Sequence, residues 1–144
     1  MTQIRDIMTS QVETCSLLDN VFEAAVKMRD TDVGGIPILD ENRLVGLITD
    51  RDIVVRCIAD KKPPSTKVEE IMTTGLVTVP PDITTEAAAD LMSQHQIRRL
   101  PVVENGQLAG IVALGDLAVR QLTDSQAQSA LSDISESEEG YTAH

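Results

Sequence analysis

The chain matches itself without a gap when shifted by 64 residues. Ile7-Met8-Thr9 falls on Ile71-Met72-Thr73, and Ala24, Ala25 and Met28 fall on Ala88, Ala89 and Met92. Pro37 falls on Pro101, and Leu44, Gly46 and Asp52 fall on Leu108, Gly110 and Asp116. With Thr14 on Thr78 and Val55-Arg56 on Val119-Arg120, residues 4–58 and 68–122 share thirteen identities. Aliphatic residues mostly face aliphatic residues between them. The chain is therefore two copies of one supersecondary unit. Each copy is too small to bury both faces of its sheet, so the copies are expected to pack on each other.

Each copy reads strand, helix, strand, strand, helix, after a short helical lead-in at 4–8. In the first copy the strands are expected at 12–14, 36–39 and 44–49. Asp19 or Asn20 caps a helix through Val21, Ala24, Ala25 and Met28, an apolar stripe at helical spacing. A second helix follows at 50–59. In the second copy strands are expected at 76–79, 100–103 and 108–113, with helices at 86–94 and 116–122. Asp40-Glu41-Asn42 and Glu104-Asn105-Gly106 read as hairpin turns. The fold class is α+β, an α/β-type tandem repeat. The first domain is placed at 1–60, a Pro63-Pro64 linker at 61–67, the second domain at 68–123 and a disordered acidic tail at 124–144.

Composition excludes several functions. Aromatic residues are 1% of the chain, Phe22 and Tyr141, so base stacking has no platform. The net charge of −11 argues further against nucleic acid. Five of the acids lie in the tail: Asp124, Asp133, Glu136, Glu138 and Glu139. No apolar run is long enough to span a membrane, and a cytoplasmic protein is expected. Cys15 and Cys57 lack metal-type spacing and read as free thiols. The two histidines, His95 and His144, are too few and too poorly placed for acid–base catalysis. No nucleophile triad, metal-ligand cluster or phosphate-cradling glycine loop is present, so no enzyme is expected and no metal.

One stretch carries chemistry. Gly46-Leu47-Ile48-Thr49-Asp50-Arg51-Asp52 runs from a buried strand into a helix. A hydroxyl at Thr49 and a carboxylate at Asp52 stand three residues apart where the helix begins. Thr49 or Asp50 suits a helix cap. The same pair suits a nucleotide: a ribose diol needs a carboxylate acceptor, and a phosphate needs N–H and hydroxyl donors.

Taken together, the motifs resemble a tandem pair of cystathionine-beta-synthase (CBS) domains, a Bateman module of the free-standing kind. The carrying residues are Asp6-Ile7-Met8-Thr9 and Glu70-Ile71-Met72-Thr73, Ile36-Pro37-Ile38 and Leu100-Pro101-Val102, and the stretch from Gly46 to Asp52. The resemblance covers residues 4–122. It implies a pseudo-twofold pair with two clefts for adenosine compounds, and a homodimer of such pairs. It also implies a non-catalytic sensor for a separate regulated protein, with an adenine nucleotide as regulatory ligand and no required cofactor.

Carried over residue by residue, the first cleft takes Thr49, Arg51 and Asp52, with Gly34, Gly35, Ile36 and Pro37 before and in the second strand. The second keeps Asp116 but has Ala113 where the hydroxyl would be. Arg98, Arg99 and Pro101 occupy the positions of Gly34, Gly35 and Pro37. The resemblance implies a crossover in which Arg98 meets the phosphate of a ligand held by Asp52, and bidentate contact suits arginine. On this reading Asp52 marks the stronger cleft. AMP, ADP or ATP is the expected ligand, with S-adenosylmethionine, an NAD-type compound or a ligand-free interaction module as alternatives.

Overall fold

The computed structural model describes residues 2–120. The expected tail at 124–144 lies outside the described residues. The chain divides into two compact units that do not coincide with the repeats. One, the N-repeat unit, holds residues 11–76 and 105–108. The other, the C-repeat unit, holds residues 77–104 with, among the described residues, 2–10 and 109–120.

In the N-repeat unit, β1 (Cys15–Ser16) is followed by α1 (Val21–Thr31), β2 (Gly35–Asp40) and β3 (Arg43–Thr49). A short helix, α2 (Asp50–Asp52), continues as a π-helical stretch, Ile53–Ile58. β1 pairs parallel with β2, Cys15 opposite Ile38, and β2 pairs antiparallel with β3, with a register shift between Ile38 and Leu39. Arg43 pairs with Gln107. In the C-repeat unit, α3 (Thr85–His95) precedes β4 (Arg99–Glu104); β5 (Gln107–Ala113) belongs to this unit from residue 109 onward and leads into α4 (Leu114–Arg120). β4 and β5 are hydrogen-bonded neighbours.

Local chemistry explains the boundaries. Asn20 and Glu23 form a capping box at the start of α1, with bonds of 2.9 and 3.2 Å. The Thr84 hydroxyl caps α3 by accepting the Ala87 N–H at 3.1 Å. α1 and α3 end on residues in the left-handed region, Asp32 and Gln96, which are repeat equivalents. The two hairpins turn on Glu41-Asn42 and Asn105-Gly106, all four at positive φ, the twist that two-residue hairpins need.

The expected order holds in the first copy, but the first strand lies at Cys15–Ser16 rather than 12–14, because Cys15 is the buried residue that meets Ile38. In the second copy the strand expected at 76–79 is one parallel bridge, Val79 to Val102. Pro80 and Pro81 follow Val79 and lack the N–H groups that would extend the ladder.

The units differ from the expected domains because the lead-ins are exchanged. Residues 2–9 dock in the C-repeat unit: Ile4 N–H donates to the Ile83 carbonyl at 2.9 Å, and Thr9 bridges Ile111. Residues 66–73 dock in the N-repeat unit by equivalent bonds, Val68 N–H to the Asp19 carbonyl at 3.0 Å and Thr73 to Leu47. Ile4 is buried among Val79, Ala88, Met92, Leu100 and Leu117. Val68 and Ile71 are buried among Cys15, Val21, Ile36 and Ile48. The lead-ins approach the third strands closely where each strand has a glycine. A Cβ at Gly110 would lie 2.7 Å from the Thr9 carbonyl oxygen, and one at Gly46 would lie 2.5 Å from the Met72 sulfur.

Candidate functional site

The two helix starts share a frame and differ in side chains. In the N-repeat unit Asp50 N–H donates to the Gly34 carbonyl at 3.0 Å; in the C-repeat unit Leu114 N–H donates to the Arg98 carbonyl at 2.7 Å. Each bond ties the residue before the second strand to the start of the last helix. Gly34, Gly35, Ile36, Pro37, Thr49, Arg51 and Asp52 are thus gathered in the N-repeat unit, where Gly35 is paired with Thr49. Arg98, Arg99, Pro101 and Asp116 are gathered in the C-repeat unit. Arg98, expected as the phosphate partner of Asp52, therefore belongs to the unit of Asp116.

At the first start, Thr49 is the helix cap. Its hydroxyl accepts the Asp52 N–H at 3.0 Å, and the Asp52 carboxylate accepts the Thr49 N–H at 3.0 Å. Asp52 is 9% exposed. The Thr73 hydroxyl donates to its two oxygens, at 3.2 and 3.3 Å. Arg56 stands 3.9 Å away and donates to the Met72 carbonyl at 3.2 Å. Exposed Arg51 extends from the same turn.

At the second start, Ala113 removes the hydroxyl. Asp116 is exposed, and its carboxylate accepts the Ala113 N–H at a longer 3.4 Å. Asp116 faces a cavity of about 310 Å³ whose described lining is Asp6, Ile7, Met8, Thr9, Asp116 and Val119. This is the combination of apolar wall and convergent polar groups that small-molecule sites use. Arg98 is exposed and Arg99 half-buried, before β4. Among the described residues no group of three or more His, Cys, Asp or Glu is placed to hold a metal. No helix of the described residues is long and apolar enough to cross a membrane.

Sequence reasoning gave no site role to Thr9, Met8, Thr73 or Arg56. The signal was present, since Ile-Met-Thr recurs in both repeats, but the exchange of lead-ins hides which helix start each threonine meets.

Comparison with known proteins identifies the repeated unit. The family model for the CBS domain matches residues 4–58 and 68–122. The uncharacterized protein YlbB of Bacillus subtilis is 51% identical over 146 residues, covering 98% of this chain and 99% of that protein. Hypoxic response protein 1 of Mycobacterium tuberculosis is 36% identical over 120 residues, covering 82% of this chain and 84% of that protein. Among solved structures, the CBS domain pair of protein MJ0100, in complex with 5′-methylthioadenosine and S-adenosyl-L-methionine, superposes with a TM-score of 0.76. It is 30% identical and covers 83% of this chain and 95% of that one. The repeat, the two helix starts and these matches place the chain in the CBS-domain family, with one domain at 4–58 and a second at 68–122.

Proposed function

We propose that the protein is a non-catalytic sensor that binds an adenosine-containing ligand at the Asp116 cavity. The observation that carries this reading is the exposed carboxylate of Asp116 on a cavity of about 310 Å³ with Ile7, Met8 and Val119 in its wall. The carboxylate accepts the ribose hydroxyls, and the aliphatic side chains pack on the base. Arg98 and Arg99, in the same unit, supply positive charge for a phosphate. The ligands of the MJ0100 pair extend the candidates from AMP, ADP and ATP to S-adenosylmethionine and its nucleoside relatives. Ligand binding shifts a population of conformations that a separate cytoplasmic partner reads.

Thermal unfolding with AMP, ADP, ATP, S-adenosylmethionine and NADH tests the reading. A compound at 100 times its dissociation constant adds about 2.7 kcal/mol of stability. At least one should raise the melting temperature, and Asp116→Asn should abolish that rise. A melting temperature unmoved by all five favours a ligand-free interaction module, a reading that the occupied carboxylate of Asp52 supports for the N-repeat unit. The same protein is proposed to be a homodimer, because Leu18, Phe22, Val54 and Ile58 leave large apolar side chains exposed. Light scattering at the 15.6 kDa monomer mass would contradict this.

A further inference from the structure

We propose that Thr73 is the resident hydroxyl partner of Asp52, so that only Asp116 of the two equivalent carboxylates is open to a sugar diol. The proposal rests on the reading of Asp116 as the ribose acceptor and goes beyond it by assigning Thr73 as the group that closes the equivalent carboxylate, Asp52. The backbone frames are alike. Thr73 and Leu47 exchange two bonds of 2.8 and 3.0 Å; Thr9 and Ile111 exchange two of 2.9 and 3.0 Å. Thr73 and Thr9 therefore reach their helix starts from equivalent places, yet only Thr73 bonds to the carboxylate. The cause is the residue three before each aspartate. Thr49 pins Asp52 by a two-way bond, turning its carboxylate toward Thr73. Ala113 cannot pin Asp116, whose single described bond is stretched to 3.4 Å.

A carboxylate offers about four acceptor sites on two oxygens. At Asp52 one oxygen takes the Thr49 N–H, both are approached by the Thr73 hydroxyl, and Arg56 stands near. A diol arriving there exchanges one hydroxyl for another and gains little. At Asp116 no described residue has to leave. Ala113, which on sequence grounds weakens the second site, instead keeps its carboxylate available.

Two measurements test this, one without ligand. In thermal unfolding, the losses from Thr73→Val and Asp52→Asn should not add, the double variant falling little below the worse single variant. The losses from Thr9→Val and Asp116→Asn should add. Full additivity of Thr73→Val with Asp52→Asn would overturn the pairing. In calorimetry with adenosine, which carries the diol without a phosphate, the protein should bind one equivalent per chain, lost in Asp116→Asn. Thr73→Val should gain a second equivalent, at least tenfold weaker. Two equal equivalents in the unaltered protein, or loss of binding in Asp52→Asn alone, would overturn the assignment. Absence of any adenosine binding overturns the ligand reading and the role of Asp116, while the unfolding data still judge Thr73.

Discussion

Thr73 donates its hydroxyl to both oxygens of Asp52, at 3.2 and 3.3 Å, although 21 residues separate them in the chain. The bond fastens the lead-in of the second repeat to the last helix of the first. Buried Asp52 thus has its carboxylate bonded within the N-repeat unit, whereas exposed Asp116 is held by one long bond among the described residues.

Stability should therefore separate the two aspartates. Hydrogen bonds to a charged group contribute about 1.5–3 kcal/mol, and Asp52→Ala strands both the Thr49 N–H and the Thr73 hydroxyl. A loss in that range is expected by chemical denaturation. Asp116→Ala should cost within about 0.5 kcal/mol, as exposed substitutions do. Equal losses would contradict the inequality of the two helix starts.

The glycines of the third strands should not tolerate a methyl group. Gly110→Ala places Cβ 2.7 Å from the Thr9 carbonyl oxygen, a backbone atom fixed by a two-bond bridge. Gly46→Ala meets the Met72 sulfur first, at 2.5 Å, and the Thr73 carbonyl oxygen only at 3.1 Å. A thioether can turn aside and a bridged carbonyl cannot. Gly110→Ala should cost about 1–3 kcal/mol, and Gly46→Ala less. Equal or reversed melting temperatures would show that the lead-in backbone moves freely.

Exchange of lead-ins predicts which fragments hold together. Residues 4–58 form one sequence repeat but lack Val68 and Ile71, both fully buried in the N-repeat core. Truncating one such side chain costs about 2–5 kcal/mol. Fragment 11–76 keeps both and should retain far more helical circular dichroism and a steeper melting transition than fragment 4–58. The reverse result would contradict the exchange.

The thiol of Cys15 gives a pH signature. Burial pushes it from its ordinary 9.0 up to about 11, with Lys27 pulling the other way and Asp19 adding to the rise. The folded state resists thiolate formation more than the unfolded chain does. This stability is intact below about pH 9 and is lost as pH climbs through 11, a change on the order of 2 kcal/mol. Denaturation between pH 8 and pH 11 should show the fall, and Cys15→Ala should flatten it. A fall unchanged in Cys15→Ala would assign it to other groups.

Much of this was legible in the sequence, for physical reasons. The 64-residue offset fixed the order of elements, and the cap pairs Asp19 or Asn20 and Thr49 or Asp50 marked two helix starts, of which the structure selects Asn20 and Thr49. The motif from Gly46 to Asp52 located the first helix start, and Asp116 located the second. What stayed hidden was long-range pairing. Nothing local to Thr73 says that it meets Asp52, or that Thr9 lines a cavity with Asp116. Ala113 read as a lost anchor because a missing hydroxyl is visible in sequence, whereas the long 3.4 Å bond that Asp116 makes beside it is a property of packing.

The most direct measurement uses the methionine methyl groups. Met8 lines the Asp116 cavity, and Met72 packs at Gly46 in the other unit. With 13C-methyl methionine, nuclear magnetic resonance follows both during titration with adenosine. The account predicts a saturable shift at Met8 with Met72 nearly unmoved. A saturable shift at Met72 with Met8 unmoved would contradict it.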